Sequence, residues 1–313
     1  MISVIVPVYN EKDNVGPLVK ELVSVVGKET KDFDIIIVDD GSADSTYNEL
    51  KKLAETEKHL KVIKFSRNFG QTSAFAAGIE ASKGDIIITI DGDLENDPND
   101  IPKMLRMIES GVDLVSGWRK NRWQGQLFTR RLPSLCANKL ISAISGVKLH
   151  DYGCMLKVYR REVIKDVSLY GEMHRFIPAY VKYNGANIAE VEVNYRPRRF
   201  GVSKYGLGRV SKVILDLLFI RYMMNYMNKP IRFFGGIGMF SLLLGLVSGL
   251  AAIILKIMGL RNLVATPLPI FSAIFVIVGI QLLVMGILAE MIMRTYYESQ
   301  HKTPYKVKNR INF

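Results

Sequence analysis

The run from Phe233 to Leu255 contains no Asp, Glu, Lys or Arg, and no other feature restricts the fold so strongly. A helix of that length spans about 35 Å, enough to cross a bilayer core of roughly 30 Å. A second uncharged run covers Asn262 to Ala289, interrupted early by Pro267 and Pro269. Neither run has a polar face, which argues against a helical hairpin buried in a soluble core. Two membrane-spanning helices are therefore expected near 233–257 and 270–292, joined by a short turn.

Charge orients these spans. Lys229 and Arg232 precede the first, and Arg294, Lys302, Lys306, Lys308 and Arg310 follow the second, whereas Lys256 and Arg261 alone mark the turn. Basic flanks stay on the cytoplasmic side, so the N-terminal region and the C-terminus are both expected there, on a cytoplasmic (inner) membrane. Residues 1–118 carry 13 Lys and Arg against 21 Asp and Glu, residues 119–228 carry 20 against 7, and residues 229–313 carry 9 against 2. An acidic first third, followed by a basic remainder that ends in apolar spans, fits membrane lipids as a partner and not nucleic acid. Val210, Val213, Ile214, Leu217, Leu218 and Met224 recur near helical spacing with Arg209, Lys212 and Arg221 between them. That pattern suits an interfacial helix within 205–232, although a core helix carries the same spacing. Cys136 and Cys154 form no disulfide framework and match no zinc spacing, which points to a reducing environment. Met1 leads straight into the strand-like Ile2 to Pro7, so no secretory signal is read.

The first two thirds alternate in type. Strands are expected at Ile2 to Val6, Asp34 to Val38, Val62 to Phe65, Ile86 to Ile90 and Asp113 to Ser116, separated by helices near 14–27, 44–56, 71–82 and 100–109. This is the pattern of a doubly wound, largely parallel sheet. Three of these strands run into polar clusters: Pro7-Val8-Tyr9-Asn10-Glu11, Asp39-Asp40-Gly41-Ser42 and Asp91-Gly92-Asp93. Open α/β sheets bind ligands at the carboxyl edge, and paired carboxylates there suit a divalent cation that neutralises a nucleotide diphosphate. Three strand ends meeting on one edge imply one site.

The segments SVIVPVYNE at 3–11, IIIVDDGSADST at 35–46 and ITIDGDLENDP at 88–98 resemble the family 2 glycosyltransferases of the GT-A fold. Phe65-Ser66-Arg67-Asn68-Phe69-Gly70, Ala77-Gly78 and Lys83-Gly84-Asp85 are similar to the polyprenyl-phosphate branch of that family. That branch includes dolichyl-phosphate mannose synthases and the bactoprenol glucosyltransferases, and the paired spans match the bactoprenol type. The resemblance covers essentially the whole chain. It implies a Rossmann-like GT-A catalytic domain over 1–204, an amphipathic segment over 205–232, two spans within 233–293 and a basic tail over 294–313.

By the same resemblance Pro7, Tyr9, Glu11, Val38 and Asp40 contact the nucleoside, with Asp40 accepting from the base. Asp91, Gly92 and Asp93 hold the rest of the nucleotide sugar, and Asp91, Asp93 and Glu95 hold Mg²⁺ or Mn²⁺. Glu95 stands where the family often has Gln, and Gly92 where mannose synthases often have Ala. Arg119 is implied to contact the diphosphate and Arg131 the lipid phosphate, within the acid-free basic run Arg119, Lys120, Arg122, Arg130, Arg131. Arg198 and Lys204 match the phosphate-contacting positions of the family's RxxGxSK loop. Asp151 matches an acidic position offered as the base. A polyprenyl phosphate with a second pKa of about 6 is already largely dianionic at neutral pH, so Asp151 is equally open to a positioning role. Glu172, His174 and Arg175 form a further polar group facing the acceptor, in which His174 by itself reads as structural.

The function implied is metal-dependent, inverting transfer of a hexose, glucose from UDP-glucose, to undecaprenyl phosphate, with Asp93, Arg119 and Asp151 as the catalytic set. GDP-mannose with dolichyl phosphate is the second pair, and a homo-oligomer, a tetramer, is implied for the bactoprenol branch. A processive polysaccharide synthase would carry a QxxRW motif and more spans. A non-catalytic membrane scaffold would have little reason to keep Asp91, Asp93, Arg119 and Lys204 together.

Overall fold

The computed structural model describes residues 1–122, 135, 138–139, 141–142, 146–165, 167, 173–183, 185–197, 230–299 and 307–311. Two compact units divide the chain, Met1–Val213 with Thr303–Phe313 in one and Ile214–Lys302 in the other.

The first unit is built on an eight-stranded sheet. In chain order the strands are β1 (Ile2–Val8), β2 (Phe33–Asp39), β3 (Leu60–Phe65), β4 (Ile86–Thr89), β5 (Leu114–Trp118), β6 (Lys157–Arg160), β7 (Ile188–Glu192) and β8 (Val307–Ile311). Across the sheet the order is β7-β5-β6-β4-β1-β2-β3-β8. The β4-β1-β2-β3 block and the β5–β7 pair are parallel, while β6 and β8 pair antiparallel with their neighbours. All seven residues of β1 and of β2 are buried, as expected for strands covered on both faces.

Helices α1 (Lys12–Glu29), α2 (Thr46–Thr56) and α4 (Ile101–Glu109) cover one face. In α1, Val15, Leu18, Val19, Leu22, Val25 and Val26 form one buried stripe at helical spacing, and it packs against Val4, Val6, Ile35 and Ile37. The opposite face carries α3 (Gln71–Ala81) and α5 (Ile177–Tyr183), whose Phe75, Ile177 and Val181 pack on Ile5, Ile87 and Tyr159.

The five expected strands and four expected helices are all present. β6, β7 and β8 were not foreseen. The segment read as a basic tail instead supplies the last turns of a helix and the edge strand β8, which covers the open side of β3.

The second unit holds α6 (Pro230–Ile257) and α7 (Leu268–Ser299). Their apolar stretches, Phe233–Ile257 and Leu268–Ala289, are long and apolar enough to cross a membrane, and only 22% and 11% of an 18-residue window of each is buried. Small polar residues tie the pair together: Ser241 Oγ donates to the Phe275 carbonyl and Ser272 Oγ to the Gly245 carbonyl, each at 2.8 Å. The interfacial segment expected over 205–232 lies outside the described residues except for its final three.

Candidate active site

The chain winds outward from β1 through β2 to β3, then α3 carries it back to β4 on the other side of β1. The carboxyl ends of β4, β1 and β2 therefore meet at a topological switch point, where such sheets bind ligands. A cleft of about 220 Å³ opens there. It is lined by Pro7, Tyr9, Glu11, Asp40, Asp91, Gly92 and Asp93, all anticipated from the sequence, together with Val8, Asn68, Gly70 and Gln71.

Val38 is not among them. It is fully buried with Ile36, Ile63 and Phe65 under α3, because strand alternation points this position into the core. Asp40 reaches the cleft wall, and its carboxylate accepts from the backbone N–H of Phe69 at 2.7 Å and of Gly70 at 2.9 Å. Burial pushes its carboxyl above the ordinary range, against these two hydrogen bonds. The acceptor role expected toward a base therefore competes with two backbone donors.

Asp91 accepts from Gln71 Nε2 at 2.6 Å. Its carboxyl is pushed up to about 7, first by burial and then by the neighbouring Asp93 charge, with Arg119 and Arg122 pulling the other way. Gly92 lets this loop lie against β1, since a Cβ there would stand 2.6 Å from Val8 Cγ1 and 3.1 Å from the Pro7 carbonyl oxygen. The following residue but one, Leu94, holds a left-handed backbone (φ 63°) while its side chain is buried in the core. Packing thus maintains a conformation that leucine alone disfavours by about 1 kcal/mol or more. Past this turn Glu95 is directed to Arg122, whose Nη2 lies 3.3 Å from Glu95 Oε2.

From the sequence, Glu95 was expected to share a metal with Asp91 and Asp93. Among the described residues no three His, Cys, Asp or Glu side chains form a group that could hold a metal ion. Asp91 and Asp93 remain on the cleft, and two carboxylates completed by substrate phosphates suit Mg²⁺ or Mn²⁺. The raised Asp91 carboxyl fits the same group, because a cation would restore the charge that burial and Asp93 disfavour.

Arg119 follows β5, and its side chain is 1% exposed. Its Nε donates to Asp151 Oδ2 at 2.8 Å and its Nη2 to Asp151 Oδ1 at 3.2 Å. Burial alone would raise the Asp151 carboxyl, but Arg119 overrides it and holds the group below the ordinary range. A carboxylate gripped in this way is a weak proton acceptor, so the geometry supports positioning over base catalysis. Glu190 on β7 anchors the segment by accepting from the backbone N–H groups of His150 and Asp151, at 2.8 and 3.1 Å.

His174 is buried with Nδ1 2.6 Å from Thr72 Oγ1, and burial lowers its pKa well below the usual value. From the sequence, a structural role was expected for His174. Arg131, Glu172, Arg198 and Lys204 lie outside the described residues. Asn68, Gln71 and Glu190 were missed. Asn68 and Gln71 stand within and beside the family-like segment 65–70, and a helix start after a strand end was the available signal; nothing local marks Glu190.

The glycosyl transferase family 2 profile matches residues 3–168. The dodecaprenyl-phosphate galacturonate synthase of Rhizobium johnstonii is 45% identical, over 98% of this chain and 92% of that protein. The undecaprenyl-phosphate 4-deoxy-4-formamido-L-arabinose transferase of Shewanella sediminis is 34% identical, over 98% and 92%. In fold, the chain is similar to glucosyl-3-phosphoglycerate synthase of Mycobacterium tuberculosis, solved with Mn²⁺, UDP and phosphoglyceric acid, with a TM-score of 0.55, 19% identity, and 71% and 78% of the two chains covered.

Proposed function

This chain belongs to glycosyl transferase family 2, and from that membership we propose that it transfers a sugar from a nucleotide donor to a polyprenyl phosphate at the cytoplasmic face of a membrane. The observation that carries the reading is the cleft at the β4-β1-β2 edge, which brings Asp91 and Asp93 together with the polar end of β1. The two membrane-length helices suit an acceptor that resides in a bilayer.

Asp91 and Asp93 would hold Mg²⁺ or Mn²⁺, which when bound neutralises the donor diphosphate. Arg119, aimed by Asp151, faces the charge that develops on the departing diphosphate. Arg131, Arg198 and Lys204 are proposed to grip the lipid phosphate for in-line attack with inversion at the anomeric carbon. Identity of 45% and 34% across nearly the whole of two proteins named as a synthase and a transferase favours catalysis over a scaffold role.

For the donor, the sequence alone favoured UDP-glucose. The relative at 45% identity, named for galacturonate, favours a uronic acid donor, and we propose UDP-galacturonate ahead of UDP-glucose.

Purified full-length protein, incubated with Mn²⁺, undecaprenyl phosphate and each labelled UDP-sugar in turn, is expected to give labelled lipid, most of it from UDP-galacturonate. Asp93→Ala is expected to lower the yield by about 100-fold. Chelation of the metal should stop the reaction and Mn²⁺ should restore it. No lipid product with any nucleotide sugar, or an undiminished yield from Asp93→Ala, would overturn the proposal.

A further inference from the structure

Lys157, on β6, is fully buried. Its register partners are Thr89 at the end of β4 and Ser116 on β5, which puts it beneath the rim that carries Asp91. Its Nζ donates to the Cys154 carbonyl, in the segment that also contains Asp151. Around it the sheet face is apolar, with Met155, Tyr159 and Ile177 in the same cluster. A buried ammonium in such surroundings costs several kcal/mol unless anions offset it. Burial lowers the pKa of Lys157 and Arg119 adds to that, while Cys154, Asp151 and Asp91 oppose them. The proposed transfer makes no use of this residue.

We propose that Lys157 is a positioning residue for the donor site, a fixed positive charge behind Asp151 that leaves the Arg119–Asp151 pair with a net attraction for the departing diphosphate. The proposal rests on the cleft being the donor site. Asp151 by itself neutralises Arg119; with Lys157 added, the group of three carries one net positive charge. In the transfer, the bond from the anomeric carbon to the diphosphate oxygen breaks with its electron pair left on oxygen, while an acceptor phosphate oxygen bonds to that carbon. The diphosphate therefore gains a negative charge, and a fixed cation attracts the product more than the intact donor.

Three substitutions separate charge from packing. Lys157→Gln keeps a donor for the Cys154 carbonyl and removes the charge, Lys157→Arg keeps the charge, and Lys157→Met removes both. Full-length protein in lipid nanodiscs would be titrated with UDP and Mn²⁺ by calorimetry, and its kcat and donor KM measured, with melting curves to establish folding. UDP is expected to bind Lys157→Gln and Lys157→Met about tenfold more weakly, with kcat down about tenfold, donor KM changed less than about threefold, and Lys157→Arg near wild type. A Lys157→Gln protein that binds UDP as wild type does would assign the lysine to hydrogen bonding and packing, and so would neutral variants that fail to fold while Lys157→Arg folds; either result overturns the proposal. Folded wild-type protein that binds no UDP overturns the donor-site reading first, and this proposal with it.

Discussion

Arg119 and Asp151 are the residues on which the site's electrostatics turn. Both side chains are largely withdrawn from water, and each satisfies the other through two hydrogen bonds. Removing one partner leaves a buried charge without compensation, so Asp151→Ala is expected to destabilise the catalytic unit by about 3 kcal/mol, read by denaturant unfolding. The pH dependence has a definite sign. Because Asp151 is held below its unfolded value, its contribution is complete above the unfolded pKa of about 3.9 and is lost as pH falls through the lower folded value. In Asp151→Asn that part of the acid-limb loss should vanish, while a difference from wild type persists at neutral pH. The carboxylates of the Asp91-Gly92-Asp93 motif were legible in the sequence because they follow an apolar run directly. The direction of Glu95 was not, since its partner Arg122 lies 27 positions away and is brought close only by the tertiary fold.

At the level of elements, the cleft depends on how the loop after β3 meets the loop after β2. Asp40 binds the backbone of Phe69 and Gly70, and Gly41 lies against the same segment. Gly41 has a left-handed backbone (φ 70°), and a Cβ there would stand 2.3 Å from the Arg67 carbonyl carbon. Gly41→Ala is accordingly expected to cost about 1–3 kcal/mol and to raise donor KM, measured by thermal melting and initial rates. Strands β1 to β5 announce themselves as apolar runs bounded by polar turns. β6 to β8 do not: β6 is Lys-Val-Tyr-Arg with a charge at each end, β7 is half-exposed, and β8 places Lys, Asn and Arg in a row between Val307 and Ile311. Pairing with neighbours already in place, not local preference, makes these segments strands.

For the whole molecule, the two apolar runs were the plainest signal in the sequence, and α6 and α7 extend each of them by several residues. Sheet membership adds what hydropathy cannot. β8 follows both apolar helices and pairs with β3, so the segments before and after the hairpin join one sheet. Tags placed before Met1 and after Phe313 should be cleaved together by protease added to inside-out vesicles and protected together in right-side-out ones. The same pairing has a consequence for biogenesis. During synthesis the edge of β3 stays open while both spans are made, and it is closed only when β8 emerges. N-terminal regions fold first as a chain is translated, yet this sheet reaches its full width only after both apolar helices have been synthesised. Completion of the sheet is thus ordered behind synthesis of the helical hairpin.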